Sequence, residues 1–289
     1  MDILRELNDE ELQYITEELK SKLPDTLKDL NYILTVKRNK DLVKKIENVS
    51  ENFLPTFYTH RRGLKENCTF FAITGAGDHN VWIFSFEENL SEVTECLEQT
   101  SLIRWKDKIL FDIVDRKIAS LVIEQINKNN YKLKLSVEGS YYYLKKEKVY
   151  QFDLSIPDGT YLKKLTETDV KFCTSTWEWS SETTENFVRT IILIDCAYGL
   201  CDKSTDEILS FGTINHYSAI SMLYTVEHAR GKKYGEFIAK YLAVKIAEDF
   251  SLIPNCCIVT SNIASEKLFN KLGYERICDI TWVVVEEAK

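Results

Sequence analysis

The sequence predicts an α/β protein of two domains, and three observations carry that expectation. Short apolar runs rich in β-branched and aromatic residues alternate with longer amphipathic segments along the 289 residues. Residues 218–274 read as strand, turn, helix, strand, helix without interruption. Hydrophobic residues make up 44% and charged residues 28%, an ordinary globular balance, in a chain long enough for one large or two ordinary domains. There is no low-complexity segment and no short repeat. The expected division is an N-terminal α/β domain over 1–150 and a C-terminal domain over 151–289.

In the first half, Asn8 and Glu11 frame a capping box for a helix with Leu12, Ile15 and Leu19 on its apolar side. Leu23-Pro24 ends it. Residues 30–36 read as a strand and 41–46 as a helix. Residues 53–59 and 68–74 read as extended. Gly75-Ala76-Gly77-Asp78 reads as a hairpin turn before a strand at 81–86, not as a nucleotide loop, because no helix follows it to supply free amides. Helices are expected over 89–99 and 116–127, the second with Ile118, Leu121, Ile123 and Ile126. Residues 131–137 alternate as a strand does. Residues 141–150, rich in Tyr and Lys, fit an edge strand that carries the chain across the domain boundary.

In the second half, residues 167–179 read as a helix and its exit, and 182–189 as another helix. Residues 191–195 and 208–215 read as a hairpin whose turn holds Asp202, Lys203, Ser204 and Asp206. A buried strand over 219–226 leads into a turn carrying Arg230, Gly231, Lys232 and Lys233. The helix after it places Tyr234, Ile238, Leu242, Ile246 and Phe250 at four-residue intervals, one apolar stripe for a sheet. Pro254 precedes a strand at 255–260. Asn262 and Ser265 open a last helix that stops at Gly273, and 277–286 closes the sheet. A basic, glycine-bearing turn at a helix N-terminus is an anion site, since free N–H groups and the helix dipole both favour phosphate.

This stretch resembles the GCN5-related N-acetyltransferase (GNAT) superfamily. That family's pyrophosphate loop has the pattern R/Q-x-x-G-x-G/A. Arg230-Gly231-Lys232-Lys233-Tyr234-Gly235 keeps the Arg and the last Gly, with Lys233 in place of the middle Gly. The family's second motif, an Asn followed by LFxxLGY, is met by Asn262, Ser265, Leu268, Phe269, Leu272, Gly273 and Tyr274. Taken whole, the chain is similar to glycine N-acyltransferase-like proteins, through Leu23-Pro24 and the apolar 32–36, the 165–177 segment, and 190–214.

The resemblance implies a GNAT acyl-CoA N-acyltransferase fold, with the C-terminal GNAT domain preceded by a GNAT-like N-terminal domain that does not bind CoA. It implies acetyl-CoA or a longer acyl-CoA as co-substrate. The main chain of Met222, Leu223, Tyr224, Thr225 and Val226 would hold the pantetheine arm and the thioester oxygen. Arg230 to Gly235 would hold the pyrophosphate. Asn262, Ser265 and Phe269 would complete the cofactor side. The family's general base, a Glu, aligns with His228, and Glu227 immediately precedes it; the base is one of these two. Phe269 stands where many members carry a Tyr that protonates the leaving thiolate. A thiol of pKa about 8.5 can depart without that help, and Tyr224 and Tyr274 are the remaining phenols near the motifs. Trp177 and Trp179 either line an acyl pocket or pack in the protein.

Composition narrows the partners. A net charge of −8 argues against nucleic acid or an anionic membrane surface. No apolar run approaches the roughly 20 residues that span a bilayer. The acidic start, with Asp2, Glu6, Asp9, Glu10 and Glu11, matches neither a secretory nor a mitochondrial leader, so the cytoplasm is expected. Eight cysteines without C-x-x-C spacing and four scattered histidines read as reduced thiols with no metal site. The function expected is transfer of an acyl group from CoA to the amine of a small acceptor, glycine or another amino acid. A non-catalytic acyl-CoA-binding protein and a protein or peptide N-acetyltransferase are the alternatives.

Overall fold

Residues 1–46, 49, 53–74, 79–180 and 183–286 are described in this computed structural model. In chain order, the first elements are β1 (Leu4–Glu6), α1 (Asp9–Ser21), α2 (Leu27–Val43), β2 (Thr56–His60), β3 (Phe70–Ile73), β4 (His79–Phe84), α3 (Ser91–Gln99) and β5 (Ile109–Asp115). Then come α4 (Arg116–Lys128), β6 (Leu133–Tyr143), α5 (Lys146–Val149), β7 (Thr160–Lys164), α6 (Val170–Ser175), α7 (Thr184–Leu193) and β8 (Ala197–Asp202). The chain continues with β9 (Ile208–Ile214), β10 (Ala219–Thr225), α8 (Tyr234–Glu248), β11 (Asn255–Val259), α9 (Ile263–Lys271) and β12 (Glu275–Val285).

The chain forms two compact units. Unit 1 is Met1–Leu30, Glu51–Ser140 and Cys278–Lys289; unit 2 is Asn31–Ser50 and Tyr141–Ile277. The expected boundary near Gln151 separates the two halves of the sequence, whereas the compact units trade segments across it. Residues 31–50 and 141–150 join the second half, and 278–289 join the first.

In unit 1 the strand order is β1-β2-β3-β4-β5-β12-β6. Strands β2, β3 and β4 are antiparallel neighbours, β4 and β5 run parallel, and β12 lies antiparallel to β5 with Ile280 opposite Asp115. Alternation along β4 and β5 sends Val81, Ile83, Ile109 and Phe111 to one face. There they pack with Val93, Cys96 and Leu97 of α3, Ile118, Val122 and Ile126 of α4, and Val283 and Val285 of β12. Helix α1 starts on the expected capping box: Asn8 accepts from the Glu11 N–H, and Glu11 accepts from the Asn8 N–H. The 75–78 turn lies outside the described residues, and its flanking strands pair as the hairpin reading requires.

In unit 2 the strand order is β6-β11-β10-β9-β8-β7, with residues 141–143 supplying its part of β6. Helix α8 packs on β8, β9 and β10. It comes close because Gly212 of β9 has no side chain: a Cβ there would stand 2.8 Å from Leu242 Cδ1 and 3.0 Å from Ile238 Cγ2.

Three readings are corrected. Residues 30–36 are helical, within α2, because Asn31, Thr35 and Asn39, four apart and all buried, form a polar stripe that only a helix aligns. Asn31 donates to the Ile253 carbonyl and Thr35 to the Ser218 hydroxyl. Residues 191–193 finish α7, and β8 at Ala197–Asp202 is the strand that pairs with β9. The 141–150 segment is not an edge strand: 141–143 end β6, which has strands on both sides, and Lys146–Val149 is helical. Strands β1, β5 and β7 had no counterpart in the sequence reading.

Candidate active site

The site is built at the end of β10. Its hydroxyl-rich sequence pairs with β9 at Ile220↔Ile214 and Ser221↔Thr213, then slips, resuming at Tyr224↔Phe211 and Thr225↔Ser210. Met222 and Leu223 therefore stand against Gly212 alone, and Met222 takes a left-handed conformation, φ 49°. This is a β-bulge, which bends the strand and re-aims its amides. Two β9 hydroxyls fix it. Thr213 Oγ1 donates to the Ser221 carbonyl at 3.2 Å, and Ser210 Oγ to the Tyr224 carbonyl at 2.9 Å.

On its other side β10 pairs in parallel with β11 only at Ala219↔Asn255 and Ile220↔Cys256. Beyond these residues the two strands do not pair with each other, so they part where the bulge begins. On that side the main chain of residues 221–225 is left without a strand partner.

After β10 the Val226 N–H bonds to the Leu209 carbonyl, and Glu227–Ala229 forms one 3₁₀ turn with Ala229 fully buried. Arg230 folds its Nε back onto the Thr225 carbonyl at 3.2 Å. Gly231 has φ 80° and Lys233, the N-cap of α8, has φ 63° and ψ 17°. The first main-chain bond into the helix runs from Phe237 N to the Lys233 carbonyl. Among the described residues, none accepts from the N–H groups of Gly231, Lys232, Lys233, Tyr234, Gly235 or Glu236. Residues 230–233 are exposed, and a Cβ on Gly231 would meet nothing within 4 Å. The turn is open, basic and rich in free donors.

Gly235 lets α8 approach β10, since a Cβ there would lie 3.1 Å from Thr225 Oγ1. The one acid in the first turn of α8 is neutralised. Glu236 is held by Lys271 at 2.5 Å and Lys240 at 2.9 Å, and the Lys271 bond leads the causes that keep its carboxyl below the usual range.

The remaining expected residues are placed as follows. Glu227 and His228 are both exposed on the 3₁₀ turn, and His228 Nε2 lies 3.6 Å from Glu207 Oε2. Asn262 caps α9, accepting from the Ser265 N–H at 3.1 Å. Phe269 is buried, its ring edge-on to Tyr274 at 4.9 Å, and so belongs to the core. The Tyr274 hydroxyl is buried without a partner among the described residues, and burial pushes its pKa well up. Tyr224 is half-buried. Its ring centroid lies 6.1 Å from Phe211, which is 5.8 Å from Phe172 of α6. Trp177 is half-buried and Trp179 exposed. Sequence reasoning missed Ser210 and Thr213; their only signal was hydroxyls in an otherwise apolar strand. Among the described residues no group of three or more His, Cys, Asp or Glu could hold a metal, and no helix is long and apolar enough to cross a membrane.

The architecture is the GNAT fold in tandem. A family model described as FR47-like protein matches residues 197–283, and one described as a domain of unknown function (DUF5645) matches residues 3–125. A Drosophila protein of known X-ray structure is 22% identical, covers all of both chains, and superposes with a TM-score of 0.92. A tandem GNAT protein from the clavulanic acid biosynthesis pathway is 11% identical over 98% of both chains, with a TM-score of 0.53. A GCN5-related N-acetyltransferase from Sphaerobacter thermophilus is 8% identical, over 98% of this chain and 94% of its own, with a TM-score of 0.53. No curated protein gives a significant match.

Proposed function

We propose that unit 2 is an acyl-CoA-dependent N-acyltransferase acting on a small amine, with glycine or another amino acid as the acceptor class. The observation that carries this is the run of unclaimed amides from Gly231 to Glu236, beneath Arg230, Lys232 and Lys233, at the exit of a strand that parts from its neighbour. A diphosphate fits such a turn: the amides and helix dipole supply donors, and the side chains supply charge. The parted main chain of residues 221–225 offers a second row of donors and acceptors to an amide-bearing arm.

At the bulge, a main-chain N–H directed at a thioester oxygen stabilises the negative charge that develops as an amine attacks. Such a donor is worth about 3 kcal/mol where water is excluded. The amine must lose a proton, and Glu227 or His228 at the mouth would accept it directly or through water. The new C–N bond forms as the C–S bond breaks, and the thiolate leaves with its electron pair and needs no acid. Phe172 and Tyr224, half-buried on either side of the fully buried Phe211, flank the bulge and are the acyl or acceptor wall.

A thermal-shift titration with CoA and several acyl-CoAs tests binding. The expected result is stabilisation of about 2.7 kcal/mol at a hundredfold excess over Kd, abolished in R230A/K232A/K233A; no shift with any of them overturns the reading. Thiol release on adding glycine and other amines then separates enzyme from binder. Two observations favour a non-catalytic acyl-CoA binder: Phe269 is buried, and both candidate bases are exposed. Full turnover in both E227Q and H228A would remove the base assignment.

A further inference from the structure

Unit 1 repeats the strand, turn and helix order of the candidate site, without its bulge. Strands β4 and β5 pair in parallel at His79↔Ile109, Asn80↔Leu110 and Val81↔Phe111, then run on to Phe84 and Asp115 without pairing to each other. After β4 the chain turns directly into α3. The N-cap of α3, Leu90, has φ 52° and ψ 29°, the same left-handed state as Lys233 before α8. Matching these two N-caps sets Glu87-Glu88-Asn89-Leu90-Ser91-Glu92 against Arg230-Gly231-Lys232-Lys233-Tyr234-Gly235. Arg230 and Glu87 occupy the same position.

Charge is reversed between the turns, and so is occupancy. Glu87 is half-buried and its carboxylate sits on the helix end: Oε2 accepts from the Glu92 N–H at 2.8 Å, and Oε1 from the Ser91 hydroxyl at 2.6 Å. Asn89 Oδ1 takes the Ser91 N–H at 3.1 Å. Two of the donors that remain free in α8, those of Tyr234 and Gly235, are claimed at the matching Ser91 and Glu92 of α3 by the chain itself. Glu88, exposed, and Glu92, paired with Lys65 at 2.9 Å, add negative charge around the same turn.

We infer that the Glu87 carboxylate is a built-in anion that closes the unit 1 turn, so the chain carries one acyl-CoA site and unit 1 takes none. The count of one rests on the function proposed for unit 2; the closure of unit 1 does not. An external phosphate would have to displace a tethered carboxylate and sit beside Glu88. Like charge and lost hydrogen bonds both oppose it.

Two measurements separate these claims. In the first, E87A and E87Q are compared with the parent by thermal unfolding and by deuterium exchange over residues 85–99. Loss of a helix-capping acceptor is expected to lower the E87A midpoint by about 2–4 °C and to speed exchange in α3, with E87Q in between. An E87A protein as stable and as protected as the parent overturns the closure, and E87Q supplies the comparison if E87A does not fold. In the second, calorimetric titration with CoA is expected to give one equivalent per chain. CoA should slow exchange at 231–236 but not at 85–92, and R230A/K232A/K233A should bind none. Two equivalents, or protection at 85–92, overturns the inference. If the parent binds no CoA, the reading of unit 2 fails and the Glu87 variants decide the closure alone.

Discussion

Lys233 is a long side chain held in a conformation that glycine adopts without strain. Its φ of 63° costs an L-residue about 1 kcal/mol, and the turn retains it because Gly231, Arg230 and the start of α8 fix the chain on either side. Its exposure reconciles the departure from the loop pattern with an open turn: the side chain stands in solvent and leaves the amides uncovered. Lys233→Gly is therefore expected to raise the unfolding midpoint by about 2–4 °C and to weaken CoA binding only severalfold, the loss of one screened charge. Thermal unfolding and calorimetry check both. A large loss of binding would mean that the ammonium, not the backbone, is the main phosphate contact. Serine and threonine act in the same economical way on β9, where Ser210 and Thr213 hold the bulge through two carbonyls.

At the scale of elements, α8 decides the site, and the contacts that seat it have a pH dependence. The Glu236 carboxyl is held below its ordinary range, first by its bond to Lys271 on α9, with burial opposing and Lys240 assisting. A carboxyl whose pKa is lower folded than unfolded binds more protons when unfolded. Its stabilisation is present above the unfolded value of about 4.3 and is lost as pH falls through the lower, folded one. The parent should thus lose stability more steeply than Glu236→Gln between pH 5 and the acid limit of about pH 2, as denaturation at several pH values would show. Equal slopes would make the ion pair irrelevant to seating α8. Gly212 works through shape. An alanine there must push against Leu242 and Ile238, a strain of about 1–3 kcal/mol. The long apolar stripe of α8 and the capping box of α1 were legible because local chemistry dictates them. Helix α2 was misread because its β-branched and aromatic residues favour a strand locally, while burial of Asn31, Thr35 and Asn39 against partners remote in sequence favours the helix.

The two units draw on segments from both halves of the chain. Residues 278–285 of β12 belong to unit 1, where Val283 and Val285 are fully buried, although residues 141–277 build unit 2. Truncation after Ile277 should accordingly unfold unit 1, the expectation being loss of its cooperative transition in calorimetry. Each buried valine alone contributes about 1.5–3 kcal/mol. A truncated chain that keeps both transitions would show that β12 is dispensable. The net charge of −8 leaves the basic turn as a local exception, so anion binding should weaken with salt through that turn alone.

By itself the sequence determined the order strand, basic turn, helix, strand, helix in the second half, because periodicity, helix caps and glycine placement act over a few neighbouring residues. It also singled out the turn as a candidate anion site, since a helix start and nearby charge suffice for that expectation. Tertiary structure decided the rest: where β10 parts from β11, which hydroxyls fix the bulge, which segments each unit takes from the other half of the chain, and that Glu87 accepts at the start of α3 where the matching turn of α8 stays open. Each of these depends on pairing between segments far apart in the chain, and no local pattern encodes which partner wins.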